Sequence, residues 1–276
     1  MHRAEPGHGL IGQVEFAHTK CWLCVPSCFL LACVYVGGLY VWRSSLPRDH
    51  PGTIKRRCAG VLLVSALSPA CSKRHISLFQ VDASVWELMG VHLEGFVPAV
   101  VLPLLLTMVN QRPPTQIKEL ERRIQLCFGD VVWLRNQVVA PLMEELVFRG
   151  AMLPMLVPCV GPTAAIFMAP LFFGVAHFHH ITEQRRLQKA SMRVILLMAG
   201  LQFLYTTVFG SFTAFIFRRI GHIVGPVLCH SFCNPLLFSY AMEALLFLLL
   251  LFPLTDLFFY GAIPICSLAP APARAC

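Results

Sequence analysis

Charge is scarce in this sequence. Asp, Glu, Lys and Arg together make up 13% of its 276 residues, against 57% hydrophobic residues, and the mean hydropathy is +0.67. That balance excludes an ordinary soluble domain and makes lipid the solvent for most of the chain. No linker to a second domain is visible. No small-x-small cleavage site follows the first apolar run, Cys21 to Trp42, so this run reads as a retained anchor rather than a removed signal peptide. No aromatic-basic platform or DNA-binding motif accompanies the net charge of +8, which argues against a nucleic-acid partner.

Twelve cysteines would suggest a disulfide framework in a short secreted chain. Here most lie in or beside apolar runs and read as small packing residues. Cys21-x-x-Cys24 has no second pair or nearby histidine, so no zinc knuckle is expected. Cys276 is the last residue rather than the fourth from the end, so the chain itself is not expected to be a prenylation substrate.

The basic residues fall in clusters between apolar runs: Arg43, Arg48, Lys55, Arg56 and Arg57; then Arg185, Arg186, Lys189 and Arg193; then Arg218 and Arg219. In a polytopic protein such clusters read as cytosol-side anchors beside anionic lipid. The first loop is then cytosolic and the amino terminus lumenal. Further apolar runs cover Cys58 to Cys71, with Pro69 inside, and Phe96 to Val109. Between Ile117 and Phe128 apolar residues recur every three or four positions, which fits either an amphipathic helix on the membrane surface or a solvated connecting helix.

Apolar composition returns in Val131 to Met152, Thr163 to His177, Val194 to Phe217 and Ile223 to Phe252. Strands of a membrane barrel would alternate polar and apolar residues, and these do not. The expectation is an all-α, polytopic transmembrane bundle of about seven or eight spans. A tail over 1–20, a membrane domain over 21–263 and a disordered, Pro-rich tail over 264–276 complete it.

Against this background a few polar residues stand out, because ionisable groups in hydrocarbon are costly and mark function. Neighbouring helical residues point about 100° apart, and residues four apart only about 40°. Glu144 and Glu145 therefore face different ways. Glu145 shares a face with Arg149, as an i,i+4 ion pair unless Arg149 snorkels to the headgroups. Glu144 is left to face a cavity, where it can act as a general base. His177 lies one turn after Phe173, and His230 and Asn234 share a face. Donors on the last two can point at an oxygen acquiring negative charge. The set suggests amide hydrolysis without a covalent intermediate, with Glu144 and His177 activating water and His230 and Asn234 holding the oxyanion. His179 and His180 read as interfacial. There is no His-Glu-x-x-His and no Gly-x-Ser-x-Gly. Zinc held by Glu144, His177 and His230 is an open alternative, although no metal or other cofactor is required.

Three ordered signatures, Glu144-Glu145-Leu-Val-Phe-Arg149, Phe173-Gly-Val-Ala-His177 and His230-Ser-Phe-Cys-Asn234, resemble the motifs of type II CAAX prenyl endopeptidases, the Ras- and a-factor-converting enzyme family. The resemblance runs from Cys21 to Asn234. It implies a multi-pass protease of the endoplasmic reticulum membrane that removes the last three residues of farnesylated or geranylgeranylated CAAX proteins such as Ras-type small GTPases. It also implies catalytic Glu144, His177, His230 and Asn234 around a lipid-open cavity, supported by Glu145, Arg149 and Phe173. A transporter, or a shortened and catalytically impaired scaffold, is the competing reading. Pro235 is expected to push Asn234 away from helical geometry.

Overall fold

A computed structural model describes residues 21–42, 44, 46–77, 84–97, 99–101, 129–187 and 191–236, the last five as backbone only. The surface helix expected over 117–128, the runs beyond Leu236 and both tails lie outside the described residues. Among the described residues every regular element is helical: α1 Cys24–Tyr40, α2 Pro51–Ser77, α3 Val85–Leu88, α4 Val131–Leu134, π1 Arg135–Val139, α5 Ala140–Glu145, π2 Leu146–Ala151, α6 Met152–Ala176, α7 His179–Arg186, α8 Met192–Ile220 and α9 Val224–Leu236.

Apolar residues on both faces of a helix indicate a lipid-facing surface. On α8 the buried face carries Ile195, Ala199, Phe209, Ala214 and Ile216, yet the exposed face carries Leu197, Leu201, Leu204 and Val208. Two stretches, Val131–Arg186 and Met192–Ile220, are long and apolar enough to cross a bilayer, and α1 is a shorter apolar helix.

The run Cys58 to Cys71 belongs to a longer helix than its apolar stretch suggests. Helix α2 has 27 residues and passes through Pro69. Proline has no N–H to give the carbonyl four residues back. That carbonyl, of Ser65, accepts the Ser68 hydroxyl at 2.9 Å instead. In α6 the chain bends at Gly161, where φ is 78°, directly before Pro162. The bend splits the helix into an outgoing part that ends near Cys159 and a part that leads to His177.

Two further findings depart from the sequence expectations. Cys21 and Cys159 form a disulfide, their Cα atoms 5.3 Å apart; the fold brings the start of the first apolar run against the bend in α6, within ordinary disulfide reach. Helix α9 continues through Asn234 and Pro235 to Leu236. Its packing against π1, α5 and α8 outweighs the bias that proline places on the preceding residue.

Helix α6 packs most extensively on α8, and α1 on α2 and α6. The α1–α2 contact is a backbone approach through Gly38 and Gly60, the use of small residues common where membrane helices meet. A Cβ on Gly60 would overlap the Gly38 carbonyl, whereas one on Gly37 meets nothing within 4 Å. At the other end, His92 Nε2 contacts the Gly221 carbonyl at 2.9 Å and the Ile223 amide donates to Gly90 at 3.0 Å. These bonds tie the α8–α9 turn to the 84–97 loop and so fix the start of α9.

Gly60→Ala is expected to cost about 1–3 kcal/mol by overpacking and to lower the unfolding temperature in detergent. Gly37→Ala, one residue from Gly38, is expected to stay within about 0.5 kcal/mol of the parent. Equal effects of the two substitutions would contradict the close α1–α2 approach.

Candidate active site

The site is built around Glu145, which is fully buried. Its Oε2 lies 3.1 Å from Arg149 Nε, one turn on, with the arginine also buried. Its Oε1 accepts a hydrogen bond from His230 Nδ1 at 2.8 Å, across 85 positions of sequence. One carboxylate therefore joins π2 to α9. A carboxylate paired with a guanidinium only accepts, so the His230 proton sits on Nδ1.

Phe173 supports both partners. Its ring lies under the Arg149 guanidinium, 4.4 Å from centroid to Cζ, in a cation–π contact that is strongest where water is absent. The terminal nitrogens of Arg149 have no hydrogen-bond acceptor among the described residues, so Glu145 and this ring carry its charge. The same ring meets His177 edge-on at 4.6 Å and Phe148 at 5.0 Å.

Glu144 points the other way, into a cavity of about 520 Å3 that His177, His230, Tyr35 and Phe148 also line. Its Oε2 is 3.8 Å from His230 Nε2, too long for a direct hydrogen bond and short enough for a water to touch both. His177 Nδ1 donates to the Phe173 carbonyl at 2.8 Å. A carbonyl also only accepts, so in the neutral ring Nε2 carries the lone pair, which is the acceptor a hydrolytic water needs. The structure thus gathers Glu144, His177 and His230 at one cavity, with Glu145, Arg149 and Phe173 behind them. The Asn234 side chain lies outside the described residues; its backbone is one turn beyond His230 on α9.

Two π segments flank Glu144. Such segments change helical register, frequently at functional sites. The Gln137 carbonyl in π1 accepts the Ser231 hydroxyl at 2.6 Å, a second tie between this helix run and α9. No three His, Cys, Asp or Glu side chains among the described residues converge closely enough to hold a metal ion. With Nδ1 of both His177 and His230 engaged, the donors a metal would share are the two Nε2 atoms and Glu144.

Several lining residues are not evident from sequence. His179 and His180, expected at the interface, line the cavity, as do Arg48, Arg57 and Arg135. Glu183 organises this mouth: it pairs with Arg57 at 2.6 Å, accepts from the Tyr40 hydroxyl at 3.0 Å and lies 3.5 Å from His180. A lone acidic residue just before Arg185 and Arg186 is the signal that would have marked it.

Residues 130–236 match the family described as type II CAAX prenyl endopeptidase Rce1-like. The chain is 51% identical to CAAX prenyl protease 2 of Homo sapiens over 282 aligned residues, covering 90% of this chain and 86% of the relative. It is 46% identical to CAAX prenyl protease 2 of Rattus norvegicus over 299, covering 96% and 87%. Identity to CAAX prenyl protease 2 of Caenorhabditis elegans is 29% over 201, covering 70% and 74%. No solved structure matches.

Removing one partner of a buried ion pair strands the other charge, at about 3–5 kcal/mol. Glu145→Ala is expected to destabilise the chain by about that amount. Glu145→Ala combined with Arg149→Ala is expected to be less damaging than the two single losses summed. Additive losses in a denaturation cycle would show that Glu145 and Arg149 do not depend on each other.

Proposed function

This chain belongs to the type II CAAX prenyl endopeptidase family, and from that premise we propose that it hydrolyses the peptide bond preceding the last three residues of prenylated CAAX proteins, Ras-type small GTPases among them. The observation that carries the mechanism is the meeting of Glu144, His177 and His230 at one cavity, with Nδ1 of each imidazole already engaged. Water bound between Glu144 and His177 gives up a proton as its oxygen attacks the scissile carbonyl carbon. The carbonyl oxygen takes the negative charge. The C–N bond then breaks and the departing nitrogen takes the proton, leaving a new carboxylate on the prenylated cysteine and a free tripeptide.

His230 is proposed to hold the oxyanion together with Asn234. Because its Nδ1–H is committed to Glu145, the ring has an N–H to offer at Nε2 only as the imidazolium. Glu145 thereby sets the orientation of this donor. A preorganised donor of this kind in a water-poor site is worth about 3–4 kcal/mol of transition-state stabilisation.

The substrate's lipid supports a membrane setting. A prenyl chain favours hydrocarbon and would carry the peptide to a site open to the bilayer. We place the chain in the endoplasmic reticulum membrane as a multi-pass bundle of about seven or eight spans, its basic loops and cavity mouth on the cytosolic side. The clustering of Arg48, Arg57 and Arg135 at that mouth supports this orientation.

With purified protein in liposomes and a farnesylated CAAX peptide, mass spectrometry is expected to show loss of the terminal tripeptide. Glu144→Ala and His177→Ala are each expected to slow this by about 10²–10⁴-fold, and His230→Ala by about 10²–10³-fold, with expression retained. Activity is expected to survive chelation. Inhibition by a chelator that zinc alone reverses would assign a metal to Glu144, His177 and His230 instead. Undiminished cleavage by Glu144→Ala would remove the carboxylate from the mechanism.

A further inference from the structure

The cavity mouth carries more positive than negative charge. The guanidinium groups of Arg48, Arg57 and Arg135 line the cavity and have two carboxylates, Asp49 and Glu183, as neighbours. Arg57 is engaged by Glu183 at 2.6 Å and lies over the Tyr40 ring at 5.1 Å. Arg48 is held loosely, at 3.8 Å from Asp49 and 3.9 Å from Glu183. Arg135 is pre-set: its Nε donates to Asn136 Oδ1 at 2.9 Å, which fixes the plane of the guanidinium, and its Nη1 donates to Asp49 at 2.9 Å. Its side chain is only 14% exposed, whereas that of Asp49 is 65% exposed. An ion pair with so exposed a partner contributes little and is easily exchanged for another carboxylate.

Arg135 stands nine residues before Glu144 on one continuous helical run, at most about 13 Å along the axis at the α-helical 1.5 Å per residue, and both residues line the same cavity. An extended tripeptide spans roughly 10 Å at about 3.3–3.6 Å per residue. A peptide whose scissile bond lies at Glu144 therefore brings its third following residue, and the free carboxylate that ends it, within reach of the arginine side chain.

We propose that Arg135, with Arg48 beside it, receives the C-terminal carboxylate of the leaving tripeptide and so measures the cut three residues from the chain end. This rests on the peptidase reading above and adds to it a reason why the enzyme cuts at one distance from a terminus. Arginine suits the task because its planar fork matches a carboxylate with two parallel hydrogen bonds. Asp49 holds the fork ready and yields it to the substrate.

The test uses the full chain in liposomes of neutral lipid and one farnesylated CAAX peptide in two forms, with a terminal carboxylate and with a terminal amide. The parent protein is expected to favour the acid by at least about tenfold in kcat/KM, mostly through KM. In Arg135→Ala that ratio is expected to fall to near one, and Arg135→Lys is expected to restore it in part. Asp49→Asn, a change at an exposed side chain, is expected to raise the ratio. Equal processing of acid and amide by the parent would overturn the proposal, as would an Arg135→Ala protein that loses activity on both forms equally. A ratio that follows added anionic lipid rather than residue 135 would also overturn it and place a lipid headgroup at these arginines. Failure of the parent to shorten either peptide would sink the peptidase reading, and the proposal with it.

Discussion

A single carboxylate with no access to solvent holds the centre of this protein together. Glu145 neutralises Arg149 on its own helix and fixes His230 from a helix 85 positions away. Burying these groups is costly, and the cost is met only because each is paired: the guanidinium with Glu145 and the Phe173 ring, the imidazole with Glu145 on one side and the cavity on the other. Such an arrangement adds little net stability relative to apolar packing, but it tolerates few alternative geometries. Its consequence is positional. Any movement of α9 relative to α5 breaks a buried bond, so the imidazole that faces Glu144 is held in place.

The remaining architecture serves the same placement from other directions. The Gln137 carbonyl takes the Ser231 hydroxyl, adding a second tie between the glutamate run and α9. The loop before residue 101 pins the turn from which α9 starts. On the far side, the bend at Gly161 returns α6 through Phe173 to His177, and the Cys21–Cys159 disulfide fastens that bend to the beginning of α1. Glu144, His177 and His230 thus come from different segments, each anchored close to the residue it presents. The arginines that line the same cavity are organised by Glu183 and Asp49.

Part of this was legible in the sequence and part was not. The 100° step between neighbouring helical residues separates Glu144 from Glu145, and the four-residue spacing joins Glu145 to Arg149 and Phe173 to His177; these are local facts of helix geometry. The hydrophobic runs likewise announce helices in lipid. What local spacing cannot give is the pairing of distant segments: the bond from His230 to Glu145, the hydroxyl of Ser231 on Gln137, or the disulfide. His179 and His180 were expected at the interface because charged residues follow them, yet the turn after α6 swings both towards the cavity. The extra reach of α2 beyond Cys58–Cys71 was hidden because its ends are polar and Pro69 sits within, where Ser68 repairs the lost hydrogen bond. The arginines of the mouth read as anchors because sequence shows their number and not their neighbours.

The chemistry follows from where protons can sit. The Phe173 carbonyl leaves Nε2 of His177 facing the cavity, Glu145 does the same for His230, and Glu144 lines the same space; in the proposed reaction a peptide entering there meets a base, and a donor once His230 Nε2 carries a proton. The most direct measurement of this account is a cryo-electron microscopy structure of the Glu144→Gln chain with an uncleaved farnesylated CAAX peptide bound. The scissile carbonyl is expected within one water of residue 144 and His177, with its oxygen towards His230 Nε2. A peptide bound productively elsewhere, or a carbonyl turned away from both imidazoles, would contradict it.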